Sequence, residues 1–304
     1  MIQFQRLKLE QKEQYEAILF SCPDRGCEYS FSNLYLWGRQ QVAFLHGCVA
    51  FFSHFNGRSV YPFPIGFGDR RAAIEDILRD ARERGIPCRI TNMRPADWDE
   101  LNGWFPGAFI VRADRDSFDY VYDIQDLAEL KGRKFQKKRN HVNRFLLEHP
   151  DCQALPLTRE NMEGAQAMVE DWYVSRAQED PHGDYLLEKI AMDRAFRKFE
   201  ALGMEGMVLL DGGETLAVTM ATRLSGETMD VHFEKAREDV DGAYAMINRS
   251  FARYLREHHP EVRFLNREDD LGLEGLRRAK LAYQPHHMVE KCWACLPEDV
   301  HGEY

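Results

Sequence analysis

One pattern of strands and turns is written twice in this 304-residue chain. In the first half the apolar run Val42–Leu45 leads through His46-Gly47 into Cys48–Phe52, then through Asn56-Gly57 into Val60–Ile65. In the second half Met207–Leu210, Asp211-Gly212-Gly213, Leu216–Leu224, Ser225-Gly226 and Thr228–Phe233 follow the same grammar. Each set predicts three antiparallel strands, because Asn-Gly, Asp-Gly and Ser-Gly supply the positive φ angles of short hairpins. Each set then runs into an amphipathic helix and a strand that ends in Asn. Asp69 to Asn92 is 23 positions and Asp241 to Asn266 is 25. The reading is a duplicated β-β-β-α-β unit, an α+β fold with mixed, mostly antiparallel sheets and flanking helices.

Bulk properties narrow the function classes. The composition, 44% hydrophobic and 30% charged, is that of a globular protein, and no apolar run approaches the ~20 residues that span a bilayer. Met1–Arg6 lacks the apolar core of a signal peptide. Seven cysteines without framework spacing read as free thiols in a reducing cytoplasm. Cys292-Trp293-Ala294-Cys295 has redox-like spacing but no thioredoxin-type βαβ unit around it, and reads as core packing. The net charge of −10 opposes general binding to nucleic acid while leaving room for a local basic site.

The expected organisation is a first unit at 1–125, a basic helical connector at 126–150 and a second unit at 151–304. Leu7–Phe20, Asp69–Arg84, Pro95–Trp104, Arg159–Ala177 and Tyr185–Gly203 read as helices. Phe118–Ile124 is expected to close the first unit. Gln178–Asp184, with Pro181 and Gly183, reads as a mobile loop. No zinc-like spacing of histidines, nucleophile elbow, Walker loop or dinucleotide fingerprint is present, so no metal is expected.

Two segments carry a family resemblance. They are Lys131-Gly132-Arg133-Lys134-Phe135-Gln136-Lys137-Lys138-Arg139-Asn140-His141-Val142-Asn143-Arg144-Phe145 and Leu265-Asn266-Arg267-Glu268-Asp269-Asp270-Leu271-Gly272-Leu273-Glu274-Gly275-Leu276-Arg277. With the element order, they make nearly the whole chain similar to a bacterial family related to the catalytic domain of lysylphosphatidylglycerol synthetases, and through it to the Fem-type aminoacyltransferases. The resemblance implies a tandem duplicated GNAT acyltransferase fold. It implies aminoacyl transfer from aminoacyl-tRNA to an amine or hydroxyl acceptor, a small molecule or lipid headgroup. Acetyl-coenzyme A-dependent N-acetyl transfer and a non-catalytic RNA- or ligand-binding protein are the alternatives. No cofactor is required, and the donor substrate is aminoacyl-tRNA or an acyl-CoA.

Within the first segment, Lys131–Arg144 holds seven Lys/Arg and no acid. Read as one helix, it has an apolar face of Phe135, Val142, Phe145 and Leu146. Arg133, Lys137 and Arg144 lie opposite, while Lys134, Lys138 and Arg139 flank the stripe. A charge run is ordinarily a solvated face, yet unmixed sign favours a polyanion such as tRNA. Lys134, Lys138, Arg139, Asn140 and Asn143 are accordingly substrate-binding candidates.

In the second segment a helix over Leu273–Tyr283 places Lys280 inside the arc of Leu273, Leu276 and Tyr283, where a lysine is either paired or at a cleft. Asn266 and Arg267 end a strand, the position from which a sheet presents side chains to a ligand. Asp269 either orients an attacking amine or caps the next helix. Asp269, Lys280 and Asn266 are the catalytic candidates, and Arg267 and Tyr283 are binding candidates. The GNAT pyrophosphate signature, Gln/Arg-x-x-Gly-x-Gly/Ala, is met at Arg237 and Gly242 but broken by Val240 and crowded by Glu238, Asp239 and Asp241. Gly66 and Gly68 give a second, weaker match. This departure favours a tRNA ester over coenzyme A as donor.

Overall fold

Hairpin chemistry acts first. His46 and Gly47 both take positive φ, 51° and 74°, and join strands that pair Leu45 with Cys48. The computed structural model describes residues 1–22, 25–55, 57–179 and 185–300. Its first elements are α1 (Lys12–Leu19), α2 (Phe31–Trp37), β1 (Gln40–Leu45), β2 (Cys48–Phe55), β3 (Arg58–Pro62), β4 (Ile65–Gly66), α3 (Arg70–Arg84), β5 (Arg89–Met93), α4 (Pro95–Trp104) and β6 (Ile110–Ala113). There follow β7 (Asp119–Asp123), α5 (Ile124–Glu129), α6 (Gln136–Glu148), β8 (Gln153–Pro156), α7 (Met162–Glu179) and α8 (Leu186–Leu202). The chain continues through β9 (Glu205–Asp211), β10 (Glu214–Arg223), β11 (Thr228–Ala236), α9 (Ala243–His258), β12 (Phe264–Asn266), α10 (Glu274–Leu281), β13 (His287–Val289) and β14 (Cys292–Cys295). Asn56, of the second expected turn, lies outside the described residues. Of the expected mobile loop, Gln178 and Glu179 end α7, and 180–184 lie outside the described residues.

The duplicated unit is present twice. β1, β2 and β3 pair antiparallel, α3 follows, and β5 returns parallel to β3. Likewise β9, β10 and β11 pair antiparallel, α9 follows, and β12 returns parallel to β11. Asn92 lies in β5 and Asn266 ends β12, at corresponding places. The sheets run β1-β2-β3-β5-β14-β6, with β4 on β2, and β13-β7-β12-β11-β10-β9-β8. Among the described residues no helix is long and apolar enough to cross a membrane.

The compact units are not contiguous stretches, and boundaries at 125 and 150 do not coincide with them. The first consists of Met1–Asp119, Asp269–Glu274 and the chain from Met288 onward; the second of Tyr120–Glu268 and Gly275–His287. β14 is inserted between β5 and β6, pairing Ala294 with Ile90 and Val111. β7, expected to close the first unit, pairs instead with β12, Leu265 opposite Tyr122. The reason is hydrogen bonding: the edge of a β-sheet satisfies its backbone groups with whichever strand arrives, whatever its place in sequence.

The first core gathers Tyr61, Phe63, Ile74, Ile77, Ile90, Met93, Leu101 and Ala294, all buried. Before β14, Lys291 is buried with its Nζ 2.6 Å from both Glu28 and Asp119. In the second unit the stretch 126–150 is no free connector. Leu130, Phe135 and Val142 pack with Ala245 of α9 in one buried cluster.

Candidate functional site

The second sheet opens at one place. β11 and β12 pair only over Thr228–Asp230 and Phe264–Asn266, after which β11 runs on to Ala236 without β12 beside it. Asn266 causes the parting. Its side chain is buried and its Oδ1 accepts the Glu268 N–H at 2.8 Å, turning the chain out of the strand; Glu268 sits at φ 58°. Arg267 is delivered at the fork.

Arg267 meets Glu234 of β11 at 2.8 Å, with side-chain exposures of 14% and 10%. Asn248 of α9 donates to the same carboxylate at 3.3 Å. The guanidinium carbon lies 4.8 Å from the Tyr283 ring and 5.6 Å from that of Tyr122, and the two rings meet edge to face. Burial opposes the Arg267 charge, but Glu234 and the two tyrosines hold it firmly protonated. Burial also raises both tyrosine hydroxyls. Lys138 Nζ stands 3.8 Å from the Tyr283 ring centre. Its ammonium is pushed down to about 8, by burial first and by Arg267 next, with Glu234 opposing.

Two polar atoms of this cluster have no hydrogen-bond partner among the described residues: Arg267 Nη1, a donor, and Asn248 Oδ1, an acceptor. A buried polar atom left unpaired costs about 1–3 kcal/mol, so a donor and an acceptor left together mark a place a ligand would satisfy.

The sequence candidates separate on this map. Arg267, Tyr283 and Lys138 converge. Lys280 lies close by, donating to the Arg267 carbonyl, while its own carbonyl accepts from the Tyr122 hydroxyl at 2.9 Å. Asn266 shapes the turn through its backbone partner. Asp269 is half-buried and belongs to the first compact unit.

The basic segment is not one helix but a 3₁₀ turn at Arg133–Phe135 followed by α6. Lys134 pairs with Asp126 at 2.6 Å, and Arg139 caps the carbonyls of Leu130 and Gly132. Asn140 accepts from Gln136, and Asn143 and Leu146 are exposed. Arg144, opposite the apolar stripe, is exposed as expected and pairs with Asp241. Local acids and carbonyls have claimed most of the run, and Lys138 alone of the three flanking cations turns into the cluster.

The glycine candidates are held by the chain itself. A Cβ on Gly68 would lie 1.9 Å from the His46 carbonyl oxygen, and Gly66 pairs with Cys48. Gly242, φ 83°, begins α9 so close to α6 that a Cβ would lie 2.4 Å from the His141 oxygen. Arg237 is engaged by Asp239 and Glu214, and Asp241 by Arg144 and His141. These contacts occupy the strand-to-helix junction from within.

Sequence reasoning passed over Glu234, Asn248 and Tyr122. A signal existed: Asp230, His232 and Glu234 alternate with Met229, Val231 and Phe233 along β11, which places three ionisable groups on one face of a buried sheet. His232 is buried, bonds Thr222 at 2.7 Å, and lies 3.5 Å from Asp230 and 3.4 Å from Glu268. On the opposite face Lys235 pairs with Glu188 at 2.9 Å, under the Trp172 ring. Among the described residues two groups bring three metal-type donor atoms together, Asp230/His232/Glu268 and Cys27/Glu28/Asp119. The Lys291 ammonium fills the second.

The family model described as "Phosphatidylglycerol lysyltransferase, C-terminal" matches residues 20–295. Among solved structures, the chain is similar to a conserved protein of unknown function from Bacteroides thetaiotaomicron. The two are 35% identical with a TM-score of 0.91, over 97% of this chain and 100% of that one. It shares the fold of L-PGS from Bacillus licheniformis at 16% identity and a TM-score of 0.66, over 93% of this chain and 91% of that one. An uncharacterised protein of Mycoplasmoides gallisepticum is 22% identical over 211 residues, 67% of this chain and 66% of that protein's length.

Proposed function

Because the chain belongs to the family of phosphatidylglycerol lysyltransferase C-terminal domains, we propose that it is an aminoacyltransferase moving an aminoacyl group from aminoacyl-tRNA to an amine or hydroxyl acceptor. The observation that carries the reading is the pair of unsatisfied atoms at the fork of β11 and β12, Arg267 Nη1 and Asn248 Oδ1, beside an amine with its pKa near 8. An amide-forming reaction asks for these three groups.

In the reaction the acceptor amine donates an N–H to Asn248 Oδ1, which aims its lone pair at the ester carbonyl carbon. The C–N bond forms, and the carbonyl oxygen gains charge beside Arg267, whose fixed guanidinium stabilises it without reorganisation. Neutral Lys138 takes the proton released by the amine. The C–O bond to the ribose breaks, and that proton passes to the ribose oxygen. No covalent enzyme intermediate is needed, and orientation supplies much of the rate. Coenzyme A is disfavoured as donor because the α9 junction carries Glu238, Asp239 and Asp241 and is closed by ion pairs and by Gly242 against α6.

The test is thermal unfolding with aminoacyl-tRNA, deacylated tRNA and acetyl-coenzyme A in turn. Greater stabilisation by the charged tRNA, lost in Arg267→Met, supports the reading. Stabilisation by acetyl-coenzyme A alone overturns it in favour of acetyl transfer. Equal stabilisation by both tRNAs overturns the catalytic part and leaves an RNA-binding protein.

A further inference from the structure

A second concentration of positive charge lies on α9, at 249–257 and apart from the Asn248 side chain. Arg249, Arg253 and Arg256 stand at i, i+4 and i+7 and so share one face of the helix. α5 packs against that face, and Arg249 Nε and Arg253 Nε both point at one acceptor, the carbonyl of Ala128, at 3.4 and 2.9 Å. The first of these distances is at the long, weak end for a hydrogen bond. Arg256 reaches Gln125 at 2.7 Å and Glu129 at 3.0 Å, and Lys131 also pairs with Glu129. The groove beside them, about 700 Å³, is lined by Glu129, Lys131, Arg253, Arg256 and Glu257. Four cations therefore gather around two acids on a protein whose net charge is −10.

Arg249 and Arg253 differ from the other arginines of this unit that hold acids, such as Arg144, Arg223, Arg237 and Arg267. Among the described residues neither makes an ion pair with a carboxylate, and their Nε atoms converge on one neutral oxygen. Burial first, and then the neighbouring Arg253 charge, press Arg249 below the ordinary arginine range, with no acid opposing them. The C-terminal carbonyls of α5 offset part of this repulsion. The usual resolution of two adjacent guanidiniums is a doubly acceptor-rich anion, and phosphate fits the planar fork bidentately.

We propose that Arg249 and Arg253, flanked by Lys131 and Arg256, form a phosphate-binding site for the backbone of an RNA. The face is charged throughout and none of the large exposed apolar side chains falls within 249–257, whereas a membrane surface would be met by apolar residues beside the cations. The choice of tRNA as the RNA rests on the transfer reaction proposed above; the site itself does not use the β11–β12 fork.

The experiment is fluorescence anisotropy of labelled, deacylated bulk tRNA with the full chain, titrated over about 50 to 200 mM salt. Arg249→Ala/Arg253→Ala should flatten the log–log salt slope by the worth of two contacts, at roughly 0.7 to 0.9 each. Arg249→Lys/Arg253→Lys keeps the charge and should keep the slope while weakening binding through the lost forks. Lys137→Ala, an exposed lysine of α6, serves as the control and should remove at most one contact. Should the double alanine variant melt below the assay temperature, the exposed Arg253→Glu carries the test, with loss of tRNA affinity expected. Wild-type slope and affinity in the alanine variant, or in Arg253→Glu where it stands in, overturn the proposal. So does Arg249/Arg253-dependent binding to vesicles of equal parts phosphatidylglycerol and phosphatidylcholine without binding to tRNA. Because deacylated tRNA is the probe, absence of aminoacyl transfer leaves this result unaffected.

Discussion

Lys138 offers the sharpest test of the candidate site, because its environment sets a property that no solvated lysine has. With its pKa near 8, about a quarter of the side chain is neutral at pH 7.5, against about one part in a thousand at the ordinary value near 10.4, a difference of roughly 200-fold. Pulse labelling with an amine-specific reagent across pH, read by mass spectrometry of the Lys138 peptide, reports that neutral fraction directly. The midpoint should fall near 8, with an unstructured lysine-containing reference peptide labelled in the same tube as the standard. The causes can be separated. Glu234→Gln removes the group that opposes the shift and should move the midpoint lower. Arg267→Met removes a like charge and should move it towards 10.4, and Tyr283→Ala, by admitting water, should do the same. The linkage has a definite sign. The folded pKa is depressed, so between about 8 and 10.4 the unfolded chain binds the proton and the folded chain does not, and stability rises with pH through that window. Lys138→Met should abolish that rise. A midpoint near 10 in the wild type would refute the desolvated amine and with it the role of Lys138 as proton acceptor.

Three further outcomes are expected. Glu234→Ala should cost about 3–5 kcal/mol in denaturant unfolding, since it leaves Arg267 buried without its counter-charge, while Glu234→Met/Arg267→Met should cost less than the single change. Lys291→Met should destabilise the first unit by about 3–5 kcal/mol, because Glu28 and Asp119 would remain buried without their cation; a loss below about 1 kcal/mol would show that the cluster admits water. Gly242→Ala should lower the melting temperature and broaden the α6 amide signals, from a strained φ of 83° and a Cβ meeting the His141 oxygen, whereas Gly226→Ala, with open space around it, should not.

Much of the fold was legible because it is local. The positive-φ turns at His46-Gly47 and Gly212-Gly213 and the 3.6-residue apolar spacing of α3 are read from neighbours a few positions apart and reappear in the structure, whereas Gly226 of the expected Ser225-Gly226 turn does not take positive φ. Of the candidate site, Arg267 was legible from strand-end position and Tyr283 and Lys138 from helical periodicity; the arc that singled out Lys280 is not a buried face, since Leu273 and Leu276 are exposed and α10 buries none of its residues. Lys138 was placed beside the apolar stripe, but with Val142 and Phe145 it forms an i, i+4, i+7 series and is part of that stripe. Lys134 and Arg139 misled because charge counting along a helix says nothing of acids and carbonyls brought in from elsewhere, here Asp126, Leu130 and Gly132.

By itself the sequence determined the duplicated strand–helix grammar and the family, since both depend on residue order. Only the tertiary structure decided that β14 completes the first sheet and β7 lines the second. Only it brought Glu234, Asn248 and Tyr122, from three distant segments, around Arg267. Strand pairing at a sheet edge is chosen by backbone hydrogen bonding, which every residue but proline offers alike. The ionisation of Lys138 is chosen by burial and by two charges more than 90 positions away in the chain. Neither choice is written in any local pattern of side chains, because each is a property of what the folded chain places nearby.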